Sequence, residues 1–306
     1  MALPQSVLVT GARGFAGRHL VAALQQRGVQ VVRGPSDGVD VDVTDLAAVE
    51  LTLRRAQPRA IVHLAARTWL PAVLADPRAS FAVNVGGTLH VLDAAAQHAP
   101  QARIIVVSSS TVYGVPNTAQ LLHEDSAREP LHPYALQKLL AEALAERARS
   151  TGQDVLIARP FNHVGAGMQP TISLAHFARQ LALIEAGKAE PRLLTGNLAP
   201  VRDFLPVQDV IDAYLHLLEY RGPETCFNIA SGTGHSMASM LERLRIRCAR
   251  KAELGIDPAR LRQDDPPFLV GDASRLRRET GWQPRADLEA TLNDILAEAR
   301  QWASSA

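Results

Sequence analysis

The sequence predicts an α/β protein, a doubly wound parallel sheet followed by a smaller C-terminal substrate-binding lobe, and three observations carry that expectation. Short apolar runs alternate with longer helical patterns over residues 1–160, a rhythm that lays parallel strands side by side with helices on both faces. Gly11, Gly14 and Gly17 punctuate the passage from the first apolar run into the first helical pattern, where such sheets bind phosphate-bearing ligands. Beyond residue 160 the rhythm changes to helical patterns separated by Pro- and Gly-rich connections.

In chain order, VLVT (7–10), VQVVR (29–33), AIVHLA (60–65), RIIVVSS (103–109) and DVLIARP (154–160) read as strands. GRHLVAALQQRG (17–28) and GTLHVLDAAAQHA (87–99) carry helical periodicity, the first closed by Gly28. Residues 1–160 are the expected Rossmann-like, dinucleotide-binding domain. Residues 161–306 are the expected second lobe, with helical patterns near 173–187, 207–219, 236–249 and 286–302. Part of 201–230 is a candidate to return to the main sheet.

Balanced charge, 32 basic against 31 acidic residues for a net +1, implies no nucleic-acid partner. No 18 apolar residues run together, and MALPQS lacks the basic and apolar regions of a secretion signal, so no membrane association and a cytoplasmic location are expected. Cys226 and Cys248 form no C-x-x-C pair and the ten histidines no H-E-x-x-H. Neither a disulfide framework nor a metal site is predicted.

Within VLVTGARGFAGRHL (7–20) the odd member is Arg13, a long cation in a loop whose bare glycines let backbone approach a pyrophosphate. The second strand ends in Arg33, where an acidic residue would accept from a ribose 2'-hydroxyl. Arg13 and Arg33 together suit a 2'-phosphate, which adds nearly two negative charges and matches the guanidinium fork. The plain alternative is two solvated arginines. The predicted cofactor is NADPH, with NADH possible. In DVTD (42–45), Asp42, with Val43 beside it, can accept from the adenine amino group, and Asp45 reads as a helix N-cap.

YALQK (134–138) puts Tyr134 and Lys138 four apart, on one helical face. A phenol with a pKa of about 10 is a poor proton carrier at neutral pH; an adjacent ammonium and a cationic nicotinamide supply the field that stabilises its anion. A surface tyrosine beside a solvated lysine is the other reading. VVSSSTVYG (106–114) places hydroxyls at a strand's carboxyl end, where a serine can hold a carbonyl oxygen while Tyr134 moves its proton. Turn hydrogen bonds are the alternative use of that cluster. No G-x-S-x-G elbow is present, which argues against a hydrolase.

Taken together, TGARGFAG, HLAA (63–66), NVGGT (84–88), SSSTVYG, YALQK, ARPFNHVG (158–165) and RDFLPVQD (202–209) resemble the extended short-chain dehydrogenase/reductase (NAD-dependent epimerase/dehydratase) family, in order and over nearly the whole chain. ARPFNHVGAG, RLLTGNLAPVRDF (192–204) and DPARLRQDDPPFLVGD (257–272) are most similar to its GDP-4-keto-6-deoxymannose reductases and GDP-mannose dehydratases. The resemblance implies that Ser109, four residues before the tyrosine of the V-Y-G turn, binds the reacting oxygen. Tyr134 is then the acid, and Lys138 its partner and a ligand of the nicotinamide ribose. It also implies that the glycine loop, Phe15, the backbone of Leu64, Ala65 and Ala66, and His163 surround the cofactor. Asn162, Arg179, Arg202 and Arg262 are implied to hold the nucleotide's phosphates, and Thr68 to approach the sugar. The alternatives are a turn-capping Asn162, a packed core His163, and an Arg202 paired with an acidic neighbour such as Asp209.

The resembled dehydratases carry a carboxylate at the position of Thr111, where this chain has hydroxyls, Ser110 and Thr111; dehydration is disfavoured. Epimerases share the hydroxyls but keep NAD bound, whereas a reductase exchanges a cofactor of the kind Arg13 and Arg33 suit. The expected reaction is NADPH-dependent reduction at C4 of a GDP-linked deoxyhexose, GDP-4-keto-6-deoxy-D-mannose. Its product is GDP-D-rhamnose or the C4 epimer GDP-6-deoxy-D-talose, and a 4-epimerase or a 4,6-dehydratase is the alternative. Leu136, Leu140 and Leu144 lie nearly opposite Tyr134 and Lys138 on their helix, either as core or as half of a homodimer interface.

Overall fold

Runs such as SVLVT and RIIVV are buried at every position, as strands covered on both faces require. The computed structural model describes residues 2–36, 38–115, 119–261 and 265–305. In chain order come β1 (Ser6–Thr10), α1 (Phe15–Gln26), β2 (Gln30–Val32), α2 (Leu46–Ala56), β3 (Ala60–His63), α3 (Leu70–Ala75), α4 (Pro77–Phe81), α5 (Gly87–His98), β4 (Arg103–Val107), α6 (Pro133–Ser150) and β5 (Val155–Pro160). They are followed by β6 (Asn162–Val164), α7 (Ser173–Glu185), β7 (Arg192–Thr195), β8 (Val201–Pro206), α8 (Val207–Glu219), β9 (Cys226–Ile229), β10 (Gly234–Ser236), α9 (Met237–Arg245), β11 (Glu253–Ile256), β12 (Phe268–Leu269), α10 (Ser274–Thr280) and α11 (Leu288–Ser305).

The main sheet is parallel, in the order β2-β1-β3-β4-β5-β9. This is the Rossmann-like doubly wound architecture. Its chain leaves β1 for β2 on one side and returns to β3 on the other, which opens a crevice at the carboxyl ends of β1 and β3. Alternate residues serve opposite faces. Val7 and Val9 pack with Leu24 of α1 and Val210 of α8; Leu8 packs with Leu53 of α2 and Leu92 of α5. Each such fully buried side chain contributes about 1.5–3 kcal/mol.

The chain returns to this sheet late. α8 lies in the core of one face, and β9 pairs beside β5 with Arg159 opposite Asn228. A separate core joins Phe177 and Leu181 of α7, Leu244 of α9 and Leu292 and Leu296 of α11. Phe15 touches both cores, at the seam between them. β8 pairs with β6, β10 and β12, and β7 with β11. No helix among the described residues is long and apolar enough to cross a membrane.

Two helix starts position the site. Gly14 stands at the N-cap of α1 without a side-chain cap, which leaves first-turn N–H groups open to an anion. α6 begins with Pro133 in its first turn, and His132 Nδ1 caps it by accepting from the Ala135 N–H at 3.1 Å. Small buried residues, Ala135, Ala141 and Ala145, let this helix lie close to the sheet.

Candidate active site

At the end of β1 the chain turns through Gly11 at φ +67°, and a Cβ there would stand 2.8 Å from Ala65 Cα and N. Gly14 N–H donates to Gly11 O at 2.9 Å, and a Cβ on Gly17 would reach within 2.2 Å of that oxygen. The turn is therefore folded against both α1 and the strand end at Ala65. A buried hydrogen-bond string holds the far wall. Thr88 donates to Asn84 O at 2.8 Å, so His63 Nε2 is the donor in its 3.0 Å contact with Thr88. His63 Nδ1 then accepts from Thr10 at 2.8 Å, and Thr10 accepts from the Ala65 N–H at 3.2 Å. Burial, followed by the nearby charge of Lys138, lowers His63 to about 3; it is a neutral bracket for the Leu64–Ala66 backbone.

A dinucleotide fits this cradle, because the glycine turn has no room for side chains and its helix end has no internal cap. Arg13 and Arg33 do converge at its rim. They meet on Asp40, with Arg33 Nη2 2.6 Å and Arg13 Nε 3.5 Å from its oxygens. Asp42 Oδ1 is taken by the N–H and hydroxyl of Thr44 at 2.9 and 2.7 Å, and Asp45 caps α2 from the Ala48 N–H. Val43 is buried, its carbonyl accepting from His90 at 2.8 Å.

The strand end of β4 and the face of α6 are joined at three points. Lys138 Nζ donates to Val107 O at 2.7 Å. Ser108 Oγ donates to Glu142 at 2.5 Å. Ser109 accepts from the N–H and hydroxyl of Thr111 at 3.2 and 3.0 Å and lies close enough to the Tyr134 phenol to influence its ionisation. Burial pushes the Tyr134 phenol up to about 12, with the Ser109 bond pulling the other way. Burial also lowers Lys138 to about 8, against the raising effect of Glu142. The arrangement brings a buried phenol, on a helix whose next turn carries a buried lysine, together with a serine hydroxyl at the carboxyl end of a central strand.

Glu142 is fully buried. Burial pushes its carboxyl up, but hydrogen bonds from Arg159 at 2.8 and 2.7 Å, from Ser108 and from Arg128 at 2.9 Å carry it below the usual range. Arg159 also donates to Tyr113 Oη, which donates to Asn228 at 2.6 Å; Tyr113 is a structural tyrosine. Asn84 accepts from the Arg67 N–H at 2.7 Å and donates to Arg67 O and Gln137 Oε1 at 3.0 and 2.7 Å. It ties the loop before the exposed Thr68 to α6. Sequence reasoning missed Asp40, Asn84, Gln137, Ser108 and Glu142. For Asn84 and Glu142 a signal existed, polar residues at positions the helical period buries.

On the other side of the crevice, Asn162 is half-buried on β6, opposite Phe204 of β8. The His163 ring stacks on Phe15 with centroids 5.7 Å apart, and its Nδ1 contacts Phe161 O at 3.3 Å. Burial lowers its pKa, against the raising effect of that carbonyl. Arg202 is buried and pairs with Asp265 at 2.5 Å. Asp209, the acidic neighbour considered for it, accepts instead from the Arg285 and Ala286 N–H groups. Arg179 lies over the Trp302 ring, 4.3 Å from its centroid. Arg262 lies outside the described residues. Among the described residues no cluster suits a metal ion.

Residues 8–295 match the family model described as GDP-mannose 4,6 dehydratase. A GDP-6-deoxy-D-mannose reductase from Pseudomonas aeruginosa is 34% identical over 302 residues, 97% of each chain. A GDP-6-deoxy-D-talose 4-dehydrogenase from Aggregatibacter actinomycetemcomitans is 28% identical, over 90% of this chain and 91% of that one. The solved structure of RMD from Pseudomonas aeruginosa complexed with NADPH superposes with a TM-score of 0.89 at 32% identity, over 97% of this chain and 99% of the other. Agreement along nearly the full length, in sequence and in fold, means that the chain belongs to the GDP-mannose 4,6 dehydratase family.

Proposed function

We propose that this chain is an NADPH-dependent reductase of the C4 ketone of GDP-4-keto-6-deoxy-D-mannose, with GDP-D-rhamnose as product. The observation that carries this reading is the hydroxyl at Thr111. Where the resembled dehydratases have a carboxylate, Thr111 donates to Ser109, so the site keeps a carbonyl-binding hydroxyl and a proton carrier, with a hydroxyl in place of the carboxylate that assists elimination of water. The names of the reductase and dehydrogenase relatives favour a GDP-sugar and chemistry at C4.

In this reading the glycine turn holds the pyrophosphate, and Arg13 and Arg33 the 2'-phosphate. Asp42 and Val43 border the adenine. The Leu64–Ala66 backbone, Phe15 and His163 wall the crevice. When bound, the nicotinamide supplies the hydride. Ser109 donates a hydrogen bond to the C4 oxygen, and Tyr134 Oη passes its proton to that oxygen. Lys138, anchored on Val107 O, holds a positive charge beside the phenol and eases the proton's departure. Asn162 and Arg202 hold the nucleotide's phosphates, with Thr68 at the sugar. The division of labour follows the chain: residues 1–160 with the returning β9 bind cofactor, and most of 161–306 binds the nucleotide sugar.

The protein works in the cytoplasm and as a homodimer. Leu136 and Leu140 on α6 are 48% and 37% exposed, and Phe81 and Leu89 are exposed on α4 and α5, an apolar surface suited to helix pairing. Light scattering on the wild type and on Leu136→Glu/Leu140→Glu tests this, with a dimer expected to become a monomer.

The test of function gives the purified protein GDP-4-keto-6-deoxy-D-mannose with NADPH or NADH, follows nicotinamide absorbance, and assigns C4 of the product by NMR. NADPH oxidation with a rhamno product is expected. A talo product would place the opposite ketone face toward the hydride. Absence of oxidation, together with redox-neutral conversion of GDP-mannose or a UDP-hexose, would overturn the reductase reading.

A further inference from the structure

The segment between β2 and α2 folds a carboxylate into the space that Arg13 and Arg33 share. Val41 N–H donates to Arg33 O at 2.8 Å, and a Cβ on Gly34 would stand 2.2 Å from the Val39 carbonyl oxygen. The chain thus doubles back tightly and sets Asp40 beside the end of β2. Arg55 helps to hold the turn, donating to Pro35 O at 3.3 Å. Arg13 Nη2 donates to Gly38 O at 3.1 Å, so both arginines are engaged by the same return of the chain.

The contacts to Asp40 are close but incomplete. Asp40 Oδ1 lies 2.6 Å from Arg33 Nη2, yet neither that oxygen nor Arg33 Nε has an aligned hydrogen-bond partner among the described residues. Arg13 Nε stands 3.5 Å from Oδ2. Neither arginine makes the two-pronged carboxylate contact that a guanidinium makes when fully satisfied. The side chains of Arg13, Arg33 and Asp40 are 69%, 31% and 20% exposed, so an incoming ligand can reach the cluster even though Asp40 Oδ1 and Arg33 Nε are themselves covered.

We propose that Asp40 is a specificity-determining residue, a resident counter-ion that a cofactor's 2'-phosphate must displace from Arg13 and Arg33. It lowers affinity for NADPH and thereby keeps NADH usable. This rests on the NADPH reading above. A 2'-phosphate brings about −1.5 to −2 charges; Asp40 repels them and already occupies the arginines that attract them. NADH presents a neutral hydroxyl at the same place. The charge of Asp40 therefore acts on one cofactor and spares the other.

The experiment is calorimetric binding of adenosine 2',5'-bisphosphate and of 5'-AMP to wild type, Asp40→Asn, Asp40→Ser and Arg33→Ala, at low and high salt. Both Asp40 variants are expected to bind the bisphosphate about three- to tenfold more tightly, a gain that shrinks with ionic strength. Affinity for 5'-AMP stays unchanged. Bisphosphate affinity that is unchanged or weaker in both Asp40 variants overturns the proposal and makes Asp40 a scaffold for the arginines. If Arg33→Ala binds the bisphosphate as tightly as wild type, the NADPH reading of this clamp fails, and the proposal with it. Loss in Arg33→Ala without gain in the Asp40 variants overturns the Asp40 inference alone.

Discussion

Lys138 Nζ donates to the carbonyl oxygen of Val107 at 2.7 Å, and through that bond the helix that carries Tyr134 is fastened to the strand end that carries Ser109. Tyr134, Lys138 and Glu142 stand at successive turns of α6, and they meet Ser109, Val107 and Ser108 respectively. A helix and a strand end joined at three consecutive residues cannot shift relative to each other without breaking several buried bonds. The geometry of the proposed proton transfer is set by this joint.

Lys138 gives the joint a pH dependence. Burial lowers it from 10.5 to about 8, so the ammonium that the proposed proton transfer uses is lost as pH rises through about 8. We expect kcat/KM for ketone reduction to fall above that pH, measured as initial rates at fixed ionic strength. Its stability contribution runs the other way. The folded chain binds fewer protons at this site than the unfolded chain between about 8 and 10.5, so that contribution grows with pH across the window and is lost as pH falls through about 8.

Removing the phenolic proton separates chemistry from binding. Tyr134→Phe is expected to lower kcat by about 10²- to 10⁴-fold, with nucleotide affinity measured by calorimetry nearly unchanged. Full turnover in that variant would exclude Tyr134 as the acid. Ser109→Ala removes the proposed hydrogen bond to the ketone oxygen and, with it, the acceptor for Thr111. A smaller fall in kcat is expected for it.

Glu142 has a different burden. Arg159 is 3% exposed and donates to it twice, so Glu142→Gln leaves a buried cation short of its counter-ion, at a cost of about 3–5 kcal/mol. Urea unfolding at neutral pH checks this; a change under about 1 kcal/mol would place Glu142 outside the joint. The carboxyl lies below its ordinary range in the folded chain. Its stabilisation is therefore complete above the ordinary carboxylate range and disappears as pH falls through the folded value, so wild type and variant converge in acid.

Much of the frame could be read in the sequence because its signals are local. The strands announced themselves as apolar runs, since both faces of a parallel sheet are covered, and the glycine turn and the Y-x-x-x-K pair are spacings within one element. What escaped depends on chain returns. Asp40 reaches Arg33 only because Gly34 lets the loop fold back. Arg202 finds Asp265 from the far end of the lobe, although Asp209 is nearer in sequence. Arg179 shares a helix with core residues, and only packing reveals that its guanidinium covers Trp302. The Glu142 network joins the end of β4, α6 and β5, residues from 108 to 159, a distance at which no periodicity operates.

Two glycines on α1 and its end make the last prediction, because they are required for different reasons. Gly17 lies inside the helix, and what excludes a side chain there is space: a Cβ would stand 2.2 Å from Gly11 O and 2.9 Å from Ala12 Cα, both backbone. At Gly28 a Cβ would meet nothing within 4 Å, but the backbone sits at a φ of +72°. Gly17→Ala must push the glycine turn away from the helix, at about 1–3 kcal/mol of overpacking, and is expected to distort the N–H groups proposed to face the pyrophosphate. Gly28→Ala incurs only the left-handed backbone penalty of about 1–2 kcal/mol, far from that turn. Both variants are therefore expected to melt earlier than wild type by similar margins in thermal unfolding. Calorimetric dinucleotide affinity separates them: it falls by at least about tenfold, or 1.4 kcal/mol, in Gly17→Ala and stays at the wild-type value in Gly28→Ala. Equal losses in the two would mean that the turn tolerates displacement and that the cradle is held elsewhere.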